Sequence, residues 1–177
     1  MGSPAVDLAP RTATHARALF PLVHRTPVTD TLVWDGPETV EEYERDYPSP
    51  PGDASHRHFT ILEAATGAPV GSLSIRPGHQ PQRGDIGMWV GIPFQGRGLG
   101  TAAVARALEY AFREMGMEKV EASVYVGNHA SRRILEKNGF RTEGHLRKAI
   151  LKRGAWHDEW VLGITREEWE ALRAAGA

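Results

Sequence analysis

The chain contains no cysteine. Disulfides, thiolate metal sites and a cysteine nucleophile are therefore excluded together. It has no apolar run long enough to cross a bilayer. It lacks an excess of either charge, since 21 Lys and Arg stand against 22 Asp and Glu, a net charge of −1. That balance argues against a nucleic-acid-binding or membrane-surface protein. The opening Met1-Gly2-Ser3-Pro4-Ala5-Val6-Asp7 lacks the basic and apolar regions of a secretion signal. Val6 stands where the myristoylation pattern needs Ser or Thr. A cytoplasmic location is the resulting expectation. None of the eight histidines is paired at the spacing of a zinc-binding helix, so no metal is expected.

What is present suits a globular protein: 177 residues, 41% apolar and 24% charged, enough for one domain over residues 1–177 with a substantial core. No internal repeat occurs. Pro48-Ser-Pro-Pro-Gly-Asp53 reads as a loop, because neither side carries a complete core of its own.

Apolar spacing predicts the elements. Ala16, Leu19, Phe20 and Val23 follow helical spacing after Thr12 and Thr14. Thr39 and Glu42 form a capping box that should open a short second helix. His58–Ile61 and Gly71–Arg76 read as a hairpin turning at Thr66-Gly67. Asp85–Ile92 reads as a strand with Ile86, Met88, Val90 and Ile92 on one face. Val104, Ala107, Leu108, Ala111, Phe112 and Met115 form the stripe of the strongest helix, which should end at Gly116. Val120, Ala122, Val124 and Val126 predict a strand, and a short helix from about His129 to Lys137 should stop at Asn138-Gly139. Two strands, Arg141–Ile150 and Ala155–Ile164, flank Arg153-Gly154. A capping box of Thr165 and Glu168 opens a final helix. The order is strand-helix-helix-strand-strand-strand-helix-strand-helix-strand-strand-helix. Hairpins alternating with helices predict an α/β (α+β) fold with a mixed sheet.

Gln95-Gly-Arg-Gly-Leu-Gly-Thr101 carries the most chemistry. Its three glycines let backbone N–H groups face outward, and the following helix places its positive end there. Such a turn suits a pyrophosphate, with Arg97 adding charge. The plainer alternative is a tight turn alone. A different class also fits these glycines. Gly98-Leu-Gly100-Thr-Ala-Ala103 matches a dinucleotide fingerprint, with Glu121 about 20 residues on as a ribose ligand. Hairpins on both sides, and too few strand-helix repeats, weaken that oxidoreductase reading.

Asn128-His-Ala-Ser131 opens the next helix and Glu136-Lys-Asn-Gly-Phe140 closes it. Together with Gln95-x-x-Gly98-x-Gly100, this resembles the GNAT superfamily of acetyltransferases over nearly the whole chain. Glu143-Gly144, Gly154-x-Trp156-x-Asp158, Glu168-Trp169 and the early Trp34-x-Gly36-Pro37 resemble its RimJ/RimL-like branch. The resemblance implies a mostly antiparallel, twisted seven-stranded sheet flanked by helices. It implies acetyl-CoA as cosubstrate and an amine acceptor, either a protein N-terminus such as a ribosomal one or a small amine, and it is compatible with a homodimer. Backbone groups of Val90 and Ile92 should pair with the pantetheine arm, and the amides of Gln95, Gly96, Arg97, Gly98, Gly100 and Thr101 should hold the pyrophosphate. Asn128 should bond near the thioester and Ser131 should face the sulfur.

An ammonium of pKa ~10 must lose a proton before it attacks a thioester. Asp85, beside the cofactor strand, is the nominated base, and Ser131 protonates or hydrogen-bonds the leaving thiolate. With no cysteine, direct transfer in a ternary complex is expected. Many family members carry a tyrosine acid seven residues after the asparagine, where this chain has Leu135. An acyl-CoA-binding module without catalysis is therefore a further alternative. Glu41, Glu42 and Glu44 are weaker candidates for acceptor recognition. His145 and His157 are candidate cleft residues, and Trp34, Trp89 and Trp156 are read as core, with walls of the acceptor pocket as the alternative.

Overall fold

The computed structural model describes residues 6–45, 57–80 and 82–175. The expected loop at Pro48–Asp53 lies outside them. Seven strands form one sheet in the order β1-β2-β3-β4-β5-β7-β6. They are β1 (Val6–Pro10), β2 (Arg57–Glu63), β3 (Pro69–Pro77), β4 (Arg83–Val90), β5 (Lys119–Tyr125), β6 (Arg141–Lys152) and β7 (Ala155–Thr165). Every neighbouring pair is antiparallel except β4 with β5.

The described residues also form five α-helices: α1 (Ala13–Val23), α2 (Val40–Arg45), α3 (Leu99–Arg113), α4 (His129–Lys137) and α5 (Arg166–Ala175). Their starts follow the predicted caps. Thr12 accepts from the His15 N–H at 3.2 Å. Thr165 and Glu168 close their box reciprocally at 3.0 and 3.3 Å. The box at α2 is shifted: Thr39 caps the Glu42 N–H, but the Glu42 carboxylate reaches back to the Glu38 N–H at 2.9 Å.

Period-two alternation sorts the sheet into two faces. Ile75, Ile86, Val120, Leu162 and Ile164 pack with the α3 stripe, with Leu135 of α4 and with Trp169 of α5 in one core. Trp89 turns the other way and packs with Ala16, Leu19 and Val23 of α1 and Tyr43 of α2. The expected strand through Ile92 ends sooner. β4 stops at Val90, and Ile92 opens a 3₁₀ turn to Phe94 with 47% of its surface exposed. Val126 likewise lies just past β5. Trp156, read from the sequence as core, is 56% exposed near the tip of the β6–β7 hairpin. It pairs with Leu151, itself 57% exposed, where the hairpin closes at Arg153-Gly154.

Candidate active site

The parallel pair defines the cleft. β4 and β5 share only three rungs, Arg83–Lys119, Gly84–Val120 and Asp85–Glu121. Beyond them β4 stays paired with β3 through Gly71–Val90, and β5 with β7 through Tyr125–Glu159. The two strands therefore splay, and a cavity of about 1100 Å³ opens between them. Small residues keep its floor open: Ser74 faces Gly87 across β3–β4, and Ser123 faces Val161 across β5–β7.

One end of the cleft is the glycine turn. Gly98 caps α3 in the left-handed region at φ +79°, and Gly96 sits at φ +73°. Side chains with a Cβ are strained there, so both positions favour glycine. Among the described residues no acceptor meets the N–H groups from Gly96 to Thr101; the first bonded amide is Ala102, to Gly98 O at 3.1 Å. These orphan donors at the positive end of a 15-residue helix form an anion site. Gly100 is packed closely, since a Cβ there would lie 2.9 Å from both Ile134 and Met88 side chains. Arg97 is not aimed at the turn. Its guanidinium is bonded to Glu63 at the end of β2. Arg133 and Lys137, one turn apart on α4, line the same cleft.

Val90 faces inward. Gly91 N–H donates to Val70 O at 2.8 Å, which turns the groups of Val90 to the opposite edge. Gln95 Nε2 covers the Val90 carbonyl at 2.8 Å. The Ile92 carbonyl is likewise taken by the Gln95 N–H at 3.2 Å, which leaves the Val90 N–H turned toward the cleft.

Asn128 is the N-cap of α4, its Oδ1 accepting from the Ser131 N–H at 3.1 Å. The cap is thus Asn128, and the half-buried Ser131 lines the cleft with its hydroxyl uncommitted. Leu135 is buried in the core. Asn138 ends the helix and ties it to α3, donating to Ile134 O at 2.9 Å and Thr101 O at 3.2 Å.

The carboxylates of the cleft divide by their partners. Asp85 is held by Arg76, at 2.8 Å from Nε and 2.5 Å from Nη2, with 43% of its side chain exposed. Glu121 is partly buried, which opposes its ionisation. Hydrogen bonds and charge from Arg83 and Lys119 outweigh that and hold it below the usual carboxylate range. Glu159 on β7 is different. It is 6% exposed, lines the cleft, and makes no hydrogen bond or ion pair among the described residues, and burial pushes its carboxyl above the usual range. Sequence reasoning missed Glu159. Its signal in the sequence was faint: an acid beside Asp158 that falls on the face opposite Leu162 and Ile164.

Of the other candidates, Trp89 and Trp34 do line the cleft. Glu44 is bonded to Arg17. His145 lies on the far face, 3.1 Å from Asp158 and against Trp160, while His157 stacks on Tyr125. The dinucleotide alternative fails on two counts. A single parallel pair makes no doubly wound sheet, and Glu121 is engaged by Arg83 through both oxygens at 2.7 Å.

The chain matches the model of the acetyltransferase (GNAT) domain over residues 6–141. It is 36% identical over 118 residues to the probable N-acetyltransferase YjcK of Bacillus subtilis, covering 64% of each chain. It is 34% identical over 105 residues to the putative ribosomal N-acetyltransferase YdaF of the same organism, covering 59% of this chain and 57% of that one. The matched stretch thus spans between about half and two thirds of these curated relatives. The structure of Mycobacterium smegmatis RimJ in complex with CoA-disulfide superposes with a TM-score of 0.83 at 28% identity, covering 97% of this chain and 89% of that one. Motif, splayed sheet and amide-lined turn agree with these matches, and the chain belongs to the GNAT acetyltransferase domain family, on its RimJ/RimL-like branch.

Proposed function

We propose that this protein transfers an acetyl group from acetyl-CoA to a primary amine by direct attack in a ternary complex. The acceptor is a protein N-terminus or a small amine. The observation that carries the reading is the splayed cleft, with orphan amides at one end and one unpartnered buried carboxylate, Glu159, on its floor.

The residues fit acetyl-CoA. The amides of Gly96 to Thr101 would hold the pyrophosphate, with Arg133 and Lys137 adding positive charge for the remaining phosphate. The inward edge of Val90 would pair with the pantetheine arm as an added strand. Bound acetyl-CoA supplies an activated acyl carbon. Glu159 takes the proton of the incoming ammonium, directly or through a water. Burial raises its proton affinity and so makes it a better base than an exposed carboxylate. Asp85, the base expected from the sequence, is already neutralised by Arg76. The Val90 N–H faces the position where an oxyanion would develop. The Ser131 hydroxyl hydrogen-bonds the departing sulfur, and the Asn128 amide nitrogen steadies the cosubstrate nearby.

Thermal melting with acetyl-CoA, CoA or NAD(P)H tests the reading. A ligand at ~100 times its dissociation constant adds about 2.7 kcal/mol, roughly 7 °C for a chain of this size. A rise with the CoA ligands, followed by thiol release with peptide or small-amine acceptors, is expected. A rise with NAD(P)H alone overturns the function. Tight CoA binding with no amine acetylated supports the inactive module instead.

A further inference from the structure

The hairpin that carries Glu159 ends in a two-residue turn, with Arg153 at φ +48° and Gly154 at φ +77°. Just before the turn, Lys152 is only 7% exposed. Its ammonium reaches the segment after α1, 118 to 123 residues earlier in the sequence: a 3₁₀ turn over Pro27–Thr31 and the chain that follows. Nζ donates to Thr29 O, to Leu32 O at 2.5 Å and to Trp34 O at 3.3 Å, with Asp35 Oδ1 at 3.7 Å. Thr29 O also accepts the Leu32 N–H at 3.2 Å, so the ammonium uses the second lone pair there and gathers three carbonyls around one buried cation. Arg153 adds an outer layer, bonding Asp30 at 2.8 Å and Asp35 at 2.7 Å. Tyr125 OH reaches Leu32 O at 3.3 Å from β5.

The clamped segment is one wall of the cleft, through Val28, Leu32, Val33 and Trp34. Val28 is buried with α1, and Leu32 and Trp34 pack against the same cluster, so apolar contacts tie this segment to α1 and α2. Its links to the β6–β7 hairpin are polar, and the buried one is the Lys152 ammonium. We infer that Lys152 is a positioning residue for the acceptor: by drawing the Thr29, Leu32 and Trp34 carbonyls onto the hairpin, it sets the acceptor wall at a fixed distance from Glu159. The role rests on the acetyltransferase reading above. It predicts that the lysine governs acceptor affinity and leaves cosubstrate affinity alone, because among the described residues no hydrogen bond or ion pair joins the clamp to the glycine turn or α4.

The test is Lys152→Met in the full chain, which keeps the length of the side chain and removes the charge. The acceptor KM should rise at least tenfold, with kcat and the acetyl-CoA KM within about threefold. Lys152→Arg should restore much of the acceptor KM. Hydrogen exchange should show at least tenfold faster exchange of the amides over 27–35, with α3 unchanged. If Lys152→Met does not fold, Arg153→Gln at the exposed layer should raise the acceptor KM about threefold in the same direction. An unchanged acceptor KM in the folded variants overturns the inference, as does an equal rise in both KM values. Should the unsubstituted protein acetylate no amine, the function falls, and unaltered exchange over 27–35 in Lys152→Met would remove the clamp as well.

Discussion

Glu159→Gln separates a base from a merely buried acid, because it moves activity and stability in opposite directions. The glutamine keeps the shape and removes the charge. If Glu159 takes the proton, its loss should lower kcat/KM by 10²–10⁴, about 2.7–5.5 kcal/mol of transition-state stabilisation. Stability should rise. In the folded protein burial raises this carboxyl above its unfolded value, so the folded state resists its ionisation. The group then contributes most to stability below the unfolded pKa, and that contribution is lost as pH climbs through the folded pKa. At neutral pH the wild type carries the penalty and the glutamine variant does not. Each tenfold difference in proton affinity is worth about 1.4 kcal/mol. Unfolding entropy scaled to 177 residues is about 0.4 kcal/mol per kelvin, so that difference reads as about 4 °C. The assays are acetyl transfer across about pH 5–9 and melting over the same range. The gap in Tm should close toward acid, and the lower ionisation in the wild-type rate profile should vanish in the variant. If Glu159→Gln keeps full activity while Asp85→Asn abolishes that ionisation, the base is Asp85 and the argument from partners is wrong.

Other outcomes follow from the same geometry. Gly98→Asp should eliminate the CoA-induced rise in Tm, because it sets a carboxylate and a strained φ at the amide-lined turn. Ser131→Ala should lower kcat about tenfold without changing acetyl-CoA affinity, measured where chemistry limits the rate, and full turnover there removes its role. Arg133→Ala with Lys137→Ala should raise the acetyl-CoA KM about tenfold and weaken its dependence on salt, leaving kcat unaltered. Asp158 is held below the usual aspartate range, first by the Lys148 N–H and then by His145. Its contribution is present above its unfolded pKa and lost as pH falls through the lower folded value. The Tm deficit of Asp158→Asn should therefore shrink in acid.

Most of the architecture was legible because it depends on local pattern. The α3 stripe, the capping boxes and the turn at Arg153-Gly154 each needed only neighbours in sequence. So did the Gln95–Thr101 loop, whose glycines announce their backbone requirement. The site was less legible where its meaning lies in pairing. Nothing near Asp85 in the chain shows that Arg76 will sit across the rung, and nothing near Arg97 shows Glu63. Glu159 is significant through what fails to reach it, which no local pattern encodes. Lys152 reads as an ordinary hairpin lysine until a segment 120 residues earlier folds over it. Asp158, by contrast, was noticed as part of a motif, and the structure gives its work: it accepts the Lys148 N–H at 2.8 Å across an irregular register and so braces the bend in β6.

An open sheet ordinarily has two edges, both at its margins. This one has four, because the separation of β4 from β5 after Asp85 and Glu121 leaves two interior borders of main-chain groups. Exposed borders invite other strands, and margins are usually blunted against that. Here the protection is confinement, since a cleft of about 1100 Å³ admits a slender chain and excludes a second folded sheet. The protein thus keeps a reactive β edge inside itself, where colliding molecules cannot template on it. Such a border is safe only while the outer frame holds. Partial unfolding of α1 or of the β6–β7 hairpin would present it to solvent, so aggregation on heating should begin before the main sheet melts, and a ligand threaded along β4 should delay it.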